Sequence, residues 1–148
     1  MMTLSIAPED RAAPPPLRPD LFMPDPQTGE PRLRGSRCAH CGRVCFPARA
    51  ICADCFDDGQ MSDHALDRDG VVHASTTVRV PSAAGHRPPY ACGYVDLVAD
   101  RIRVYALFSG DAPEAFVPGR KVRILIAPAR VGALGEVLAY TFVPRTGD

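Results

Sequence analysis

The sequence predicts a mainly β protein in two folded parts, a small metal-organised ribbon followed by a five-stranded barrel, with a proline-rich arm in front. Three observations predict it. Four of six cysteines form two Cys-x-x-Cys pairs; β-branched runs bounded by glycine and proline fill the chain after Gly70; and no helical stripe stands out among those runs. Changes in composition divide the 148 residues into an arm (1–31), a ribbon (32–60) and a barrel (61–148), with the second transition between Gln60 and Asp69.

The arm carries Pro14, Pro15, Pro16, Pro19, Pro24 and Pro26 and has no lasting apolar period, so an extended or partly disordered segment is expected. Its large apolar residues, Leu17, Leu21, Phe22 and Met23, could dock on the protein itself or on a partner. Met1 to Arg11 includes Glu9 and Asp10 and lacks the basic start and apolar run of a secretory signal. No run of apolar residues is long enough to span a bilayer, so no membrane partner is expected and a cytoplasmic location is. In a reducing compartment, paired cysteines are better read as metal ligands than as disulfides.

In the ribbon, Cys38-Ala39-His40-Cys41-Gly42 and Cys52-Ala53-Asp54-Cys55 each present two thiolates that a tight turn can aim at one ion. Four thiolates close a tetrahedral zinc sphere and leave no position for water or substrate, which predicts a structural site. Gly42 sits where positive φ lets amides turn toward sulfur. The ten residues from Cys41 to Cys52 leave room for a hairpin through Val44, Phe46 and Pro47. Iron in a rubredoxin-like site is the rival metal, and a redox dithiol the weaker rival, because it would leave the second pair unexplained. Cys45 lies outside the paired spacing and is expected to be a buried small residue; His40, between two ligands, should point outward.

After Gly70, Val71 to Val80 is a first long strand ending at Pro81. Tyr90 to Val98 and Arg101 to Phe108 follow, joined by Ala99 and Asp100 as a short hairpin connection. Ile102, Val104, Ala106 and Phe108 alternate with Arg103, Tyr105 and Leu107, giving one apolar face and one mixed face. Val122 to Ala127 and Val137 to Val143 complete five strands. Five strands in about 75 residues suit a small closed barrel, for which the OB-fold is the economical choice. Gly110 to Gly119 joins the third and fourth strands, and any helix there is short, because Pro113 and Pro118 bracket only four residues.

Catalysis by this chain alone is not indicated: there is no Ser-His-Asp or Cys-His pairing, no phosphate-cradling glycine loop and no open metal site. Cys92, within a strand, reads as a buried apolar residue rather than a nucleophile. His64, His73 and His86 have no carboxylate or second ligand at a telling spacing and read as surface or barrel-end residues.

The stretch from Pro31 through Gly35-Ser36-Arg37, the first knuckle, Phe46-Pro47-Ala48-Arg49 and the second knuckle to Cys55 resembles one family closely. It is similar to the small proteins that join a rubredoxin-like zinc ribbon to a C-terminal OB-fold and accompany thiolase-like enzymes. Pro88 to Leu97 and Phe116 to Val122 also resemble that family's barrel, so the likeness covers residues 30 to 144. Cys45, where an aliphatic residue is more usual, is a mild departure. The resemblance implies a non-catalytic accessory subunit, in a hetero-oligomer with an enzyme that condenses or cleaves acyl-CoA thioesters, holding structural zinc on Cys38, Cys41, Cys52 and Cys55. It also implies that such a chain can contribute to a surface for CoA.

CoA carries phosphates, and Arg79, Arg87, Arg120, Lys121, Arg123 and Arg130 are expected to gather at one end of the barrel; the alternative for each is a solvated strand or loop charge. The loop from Pro81 to Pro89, with Gly85, His86 and Arg87, is the favoured contact for CoA or a partner, with Tyr90 and Tyr105 as aromatic anchors or barrel core. A second reading, from a different class, is a single-stranded nucleic-acid-binding OB-fold. Lys plus Arg and Asp plus Glu both total 17, tryptophan is absent and Phe plus Tyr number ten, which argues against a nucleic-acid partner.

Overall fold

The computed structural model of the chain describes residues 14–146. Residues 1–13, which the sequence reading places at the start of the arm and which include Glu9 and Asp10, lie outside the described residues. The strands run in the order β1 (Phe22–Pro24), β2 (Pro31–Cys38), β3 (Val44–Cys45), β4 (Met61–Ala65), β5 (Asp69–Val78), β6 (Tyr90–Leu97), β7 (Ile102–Phe108), β8 (Lys121–Arg130) and β9 (Glu136–Pro144). Around β2, the antiparallel partners β1, β3 and β4 make a small first sheet. The second sheet is a closed barrel in the order β5-β6-β7-β9-β8, and closure leaves it no free edge. Among the described residues, no helix is long and apolar enough to cross a membrane.

The five expected barrel strands are all present, with shifted ends. The first begins earlier, at Asp69, because Asp69 to Val71 pair with Lys121 to Arg123 of β8. The β6–β7 connection differs from expectation: it spans Val98 to Arg101 rather than two residues, and Arg101 turns the chain back with φ of 56°. In β7 the predicted alternation holds, with Val104, Ala106 and Phe108 buried and Arg103 and Tyr105 exposed. The connection after it contains one 3₁₀ turn, Pro113–Ala115, started by proline and followed by Phe116. Phe116 is buried and stacks on Phe108 with ring centres 4.8 Å apart.

Val72, Val95, Leu97, Val104, Val122 and Phe142 fill the barrel interior. The same apolar cluster takes in Leu33, Val44 and Leu66, so the ribbon has no separate core and packs into the barrel's. At a bulge between Val72 and Ala74 the backbones of β5 and β6 approach so closely that a Cβ on Gly93 would lie 2.0 Å from the Ala74 carbonyl oxygen. The described part of the arm is not simply extended: it turns at 17–21 and again at 26–28, where β1 folds back on β2, and it docks on its own fold. Pro16 bridges Leu138 in parallel, Leu17 N donates to Leu138 O at 2.8 Å, and Leu21 is buried beside β2, whose Arg34 amide donates to its carbonyl at 2.7 Å.

Candidate functional site

Cys38 ends β2, and the Gly42 amide donates back to the Cys38 carbonyl at 2.8 Å with Gly42 at φ 77°, the conformation expected of it. The second knuckle repeats this construction. Phe56 N donates to Cys52 O at 3.0 Å, and Phe56 holds φ of 57°. An ion pair of 2.6 Å between Arg43 and Asp54 ties the two turns together.

The four Sγ atoms of Cys38, Cys41, Cys52 and Cys55 all lie within 4.8 Å of one another, with Cys41 and Cys52 3.6 Å apart. Four thiolates around tetrahedral zinc at the usual bond length stand about 3.8 Å apart, so the donor set fits that ion. Amides of Cys55 and Asp54 aimed at its sulfur draw the Cys52 thiol down to about 7, while the neighbouring Cys41 sulfur pushes Cys55 up to about 12. Four sulfurs so crowded are all thiolates only with a cation among them. Cys38 and Cys52 are fully buried, and a fourfold sulfur set has no open coordination position. Cys45 is buried in β3 outside this group, Cys92 is buried in β6, and His40 is exposed.

The residues expected to touch CoA or a partner fall into two places. His86, Arg87 and Tyr90 line a groove of about 720 Å³, together with Tyr105, Tyr140 and Arg130. His86 and Tyr90 pack ring to ring at 5.5 Å, and Tyr105 and Leu125 are exposed along the groove. Arg120 and Lys121, by contrast, stand at the start of β8, and Arg130 at its end, roughly 30 Å away at the rise of a strand. The expected gathering of these cations at one barrel end is therefore not what the fold gives. Arg120 clamps the connection before β8, donating to Ala115 O at 2.9 Å and Asp111 at 2.8 Å; Arg123 pairs with Asp69 and Arg79 with Glu114.

Sequence reasoning missed two arrangements. His64 was read as having no carboxylate partner, yet its Nε2 lies 2.7 Å from Asp100 Oδ1, 36 residues away, and Asp100 Oδ2 accepts the Asp67 amide at 2.7 Å. His73 likewise has Asp96 at 3.5 Å. The second arrangement is a cleft between the first knuckle and the β6–β7 turn, walled by Arg43, Arg49, Arg101 and Arg103. Only Arg101, beside the Ala99-Asp100 connection, carried any positional hint of this.

Residues 28–61 match the family model of the ChsH2 rubredoxin-like zinc ribbon domain, and residues 63–126 that of the ChsH2 C-terminal OB-fold domain. The benzoylsuccinyl-CoA thiolase subunit BbsA of Thauera aromatica is 30% identical over 125 residues, covering 84% of each chain. A DUF35 domain-containing scaffold protein of Methanothermobacter thermautotrophicus is 27% identical over 74% of this chain and 83% of its own. A solved chain described as Ltp2-ChsH2(DUF35) aldolase superposes with a TM-score of 0.62 at 21% identity, over 76% of this chain and 84% of that one, a likeness of fold.

Proposed function

Since this chain belongs to the family that joins a ChsH2-type rubredoxin-like zinc ribbon to a ChsH2-type OB-fold, we propose that it is a non-catalytic accessory subunit supporting a thiolase-like enzyme that acts on acyl-CoA thioesters. The observation that carries this reading is the likeness to a protein named as a thiolase subunit over 84% of both chains. The site chemistry supports it. A closed four-thiol set offers substrate no coordination position, and Asp100, the carboxylate facing His64, is already engaged by the Asp67 amide.

In this reading Cys38, Cys41, Cys52 and Cys55 hold zinc, which supplies folding energy to a ribbon without a core of its own. The groove on the barrel is the surface for the partner enzyme in the cytoplasm, with Tyr90 and Tyr105 as anchors and His86 and Arg87 at the rim, where CoA could also be touched. Arg79, Arg120 and Lys121 stand outside that groove and take no part in it.

Co-expression with a thiolase-like protein encoded nearby, followed by purification and assay on CoA thioesters, tests the proposal. A stable hetero-oligomer with the activity confined to the complex is expected. Thioester turnover by the isolated chain would refute it, as would tight, salt-sensitive oligonucleotide binding without any enzyme partner.

A further inference from the structure

The cleft between the ribbon and the β6–β7 turn has a volume of about 550 Å³ and is walled by four arginines against one aspartate, in a chain whose formal charge is zero. Arg43, Phe46 and Arg49 come from the ribbon side; Arg101 and Arg103 come from the barrel side. Arg43 is turned to Asp54 and Arg103 to Asp96, both carboxylates outside the wall. Asp100 is occupied by His64 and the Asp67 amide. Arg49 and Arg101 have no side-chain partner among the described residues. Two guanidiniums with no side-chain partner, lining one concavity whose single carboxylate already accepts two hydrogen bonds, can serve as a receptor for a phosphate.

We propose that this cleft binds a phosphate-bearing ligand of nucleotide size, with Arg49 and Arg101 holding the phosphate. Guanidinium forks match phosphate oxygens in pairs, which a point charge does not. The volume lies within the range of small-molecule sites and far exceeds a bare phosphate. Phe46 supplies an aromatic wall, fixed edge-on by Tyr140 at 6.0 Å, against which a base can stack. Arg101 holds φ of 56°, a conformation glycine adopts freely and arginine does not, so the turn that presents its side chain carries local strain. The site needs both ribbon and barrel, and it is separate from the groove of His86, Arg87 and Tyr90. The inference does not rest on the thiolase reading, since binding is expected of the chain by itself.

The test is calorimetric titration of the full zinc-loaded chain with adenosine 3′,5′-bisphosphate, pyrophosphate and adenosine. Both phosphate compounds should bind, the bisphosphate more tightly, and adenosine should not. Arg49→Ala with Arg101→Gly should weaken the bisphosphate at least about tenfold, the loss expected for charge-assisted bonds. Arg101→Gly alone should weaken binding while leaving the urea midpoint equal or higher, because glycine relieves the turn. Arg87→Ala with Arg130→Ala should leave binding unchanged. No binding at millimolar bisphosphate, an unaltered affinity in the Arg49/Arg101 variant, or a loss in the Arg87/Arg130 variant instead would overturn the proposal. A short single-stranded oligonucleotide binding more tightly than the bisphosphate would overturn it too, by making the cleft a nucleic-acid surface.

Discussion

Replacing Asp100 by alanine should loosen the seam between ribbon and barrel. Its carboxylate is only 8% exposed and accepts two bonds of 2.7 Å, from His64 on β4 and from the Asp67 amide that leads into β5. A hydrogen bond to a charged group contributes about 1.5–3 kcal/mol, and a buried donor left unpaired adds its desolvation cost. Because one carboxylate serves both donors, the two losses do not add fully, and Asp100→Ala is expected to cost about 3 kcal/mol. His64→Ala removes only one bond and should cost about 1.5 kcal/mol, with a coupling energy of similar size in the double-mutant cycle. Asp100→Asn keeps an acceptor for the Asp67 amide and should cost about 1 kcal/mol. Urea unfolding of the zinc-loaded chain reads all four free energies, and hydrogen exchange at the Asp67 amide gives a local measure. A cost below about 1 kcal/mol for Asp100→Ala, or a cycle with no coupling, would refute the idea that this carboxylate joins the two parts.

Cys38→Ser should drop bound zinc from one equivalent to none and speed hydrogen exchange through residues 38–60, while the barrel strands stay protected; zinc retained at full stoichiometry would contradict the ligand set. Tyr140 donates to Tyr105 O at 3.0 Å, so Tyr140→Phe should cost about 1 kcal/mol near neutrality. Burial raises the Tyr140 phenol above its ordinary value of 10, and Tyr105 is pushed up to about 12, chiefly by Cys92. Raised folded values mean that the unfolded chain ionises first, so stability is whole below pH 10 and declines from there toward 12. Urea midpoints across that window should fall less steeply in Tyr140→Phe, and parallel slopes would exclude Tyr140 as a source. Gly93→Ala places a Cβ 2.0 Å from a backbone oxygen and should cost about 3 kcal/mol, by the strain of overpacking. Wild-type stability in that variant would mean that β5 and β6 do not approach so closely.

The strands were legible because alternation along β7 and the β-branched run of β5 are local consequences of one buried face. The short turn between Pro113 and Pro118 was legible for the same reason, since two fixed φ angles leave space for little else. The β6–β7 turn was misjudged by two residues, because Val98 and Arg101 carry no composition that separates a strand end from a loop. The arginines were the larger error. Arg120 pairs with Asp111 inside its own connection, while Arg79 and Arg123 find Glu114 and Asp69 only once distant parts of the chain meet in the barrel.

The sequence by itself determined the metal chemistry, the five strands and the family, because a knuckle is made by residues three apart and a strand's faces by residues two apart. Tertiary structure alone decided that ribbon and barrel share one core, that His64 meets Asp100, and that Arg49 faces Arg101 across a cleft. Those meetings depend on strand register and barrel closure, which arise from the sum of many weak contacts and leave no mark at any single spacing.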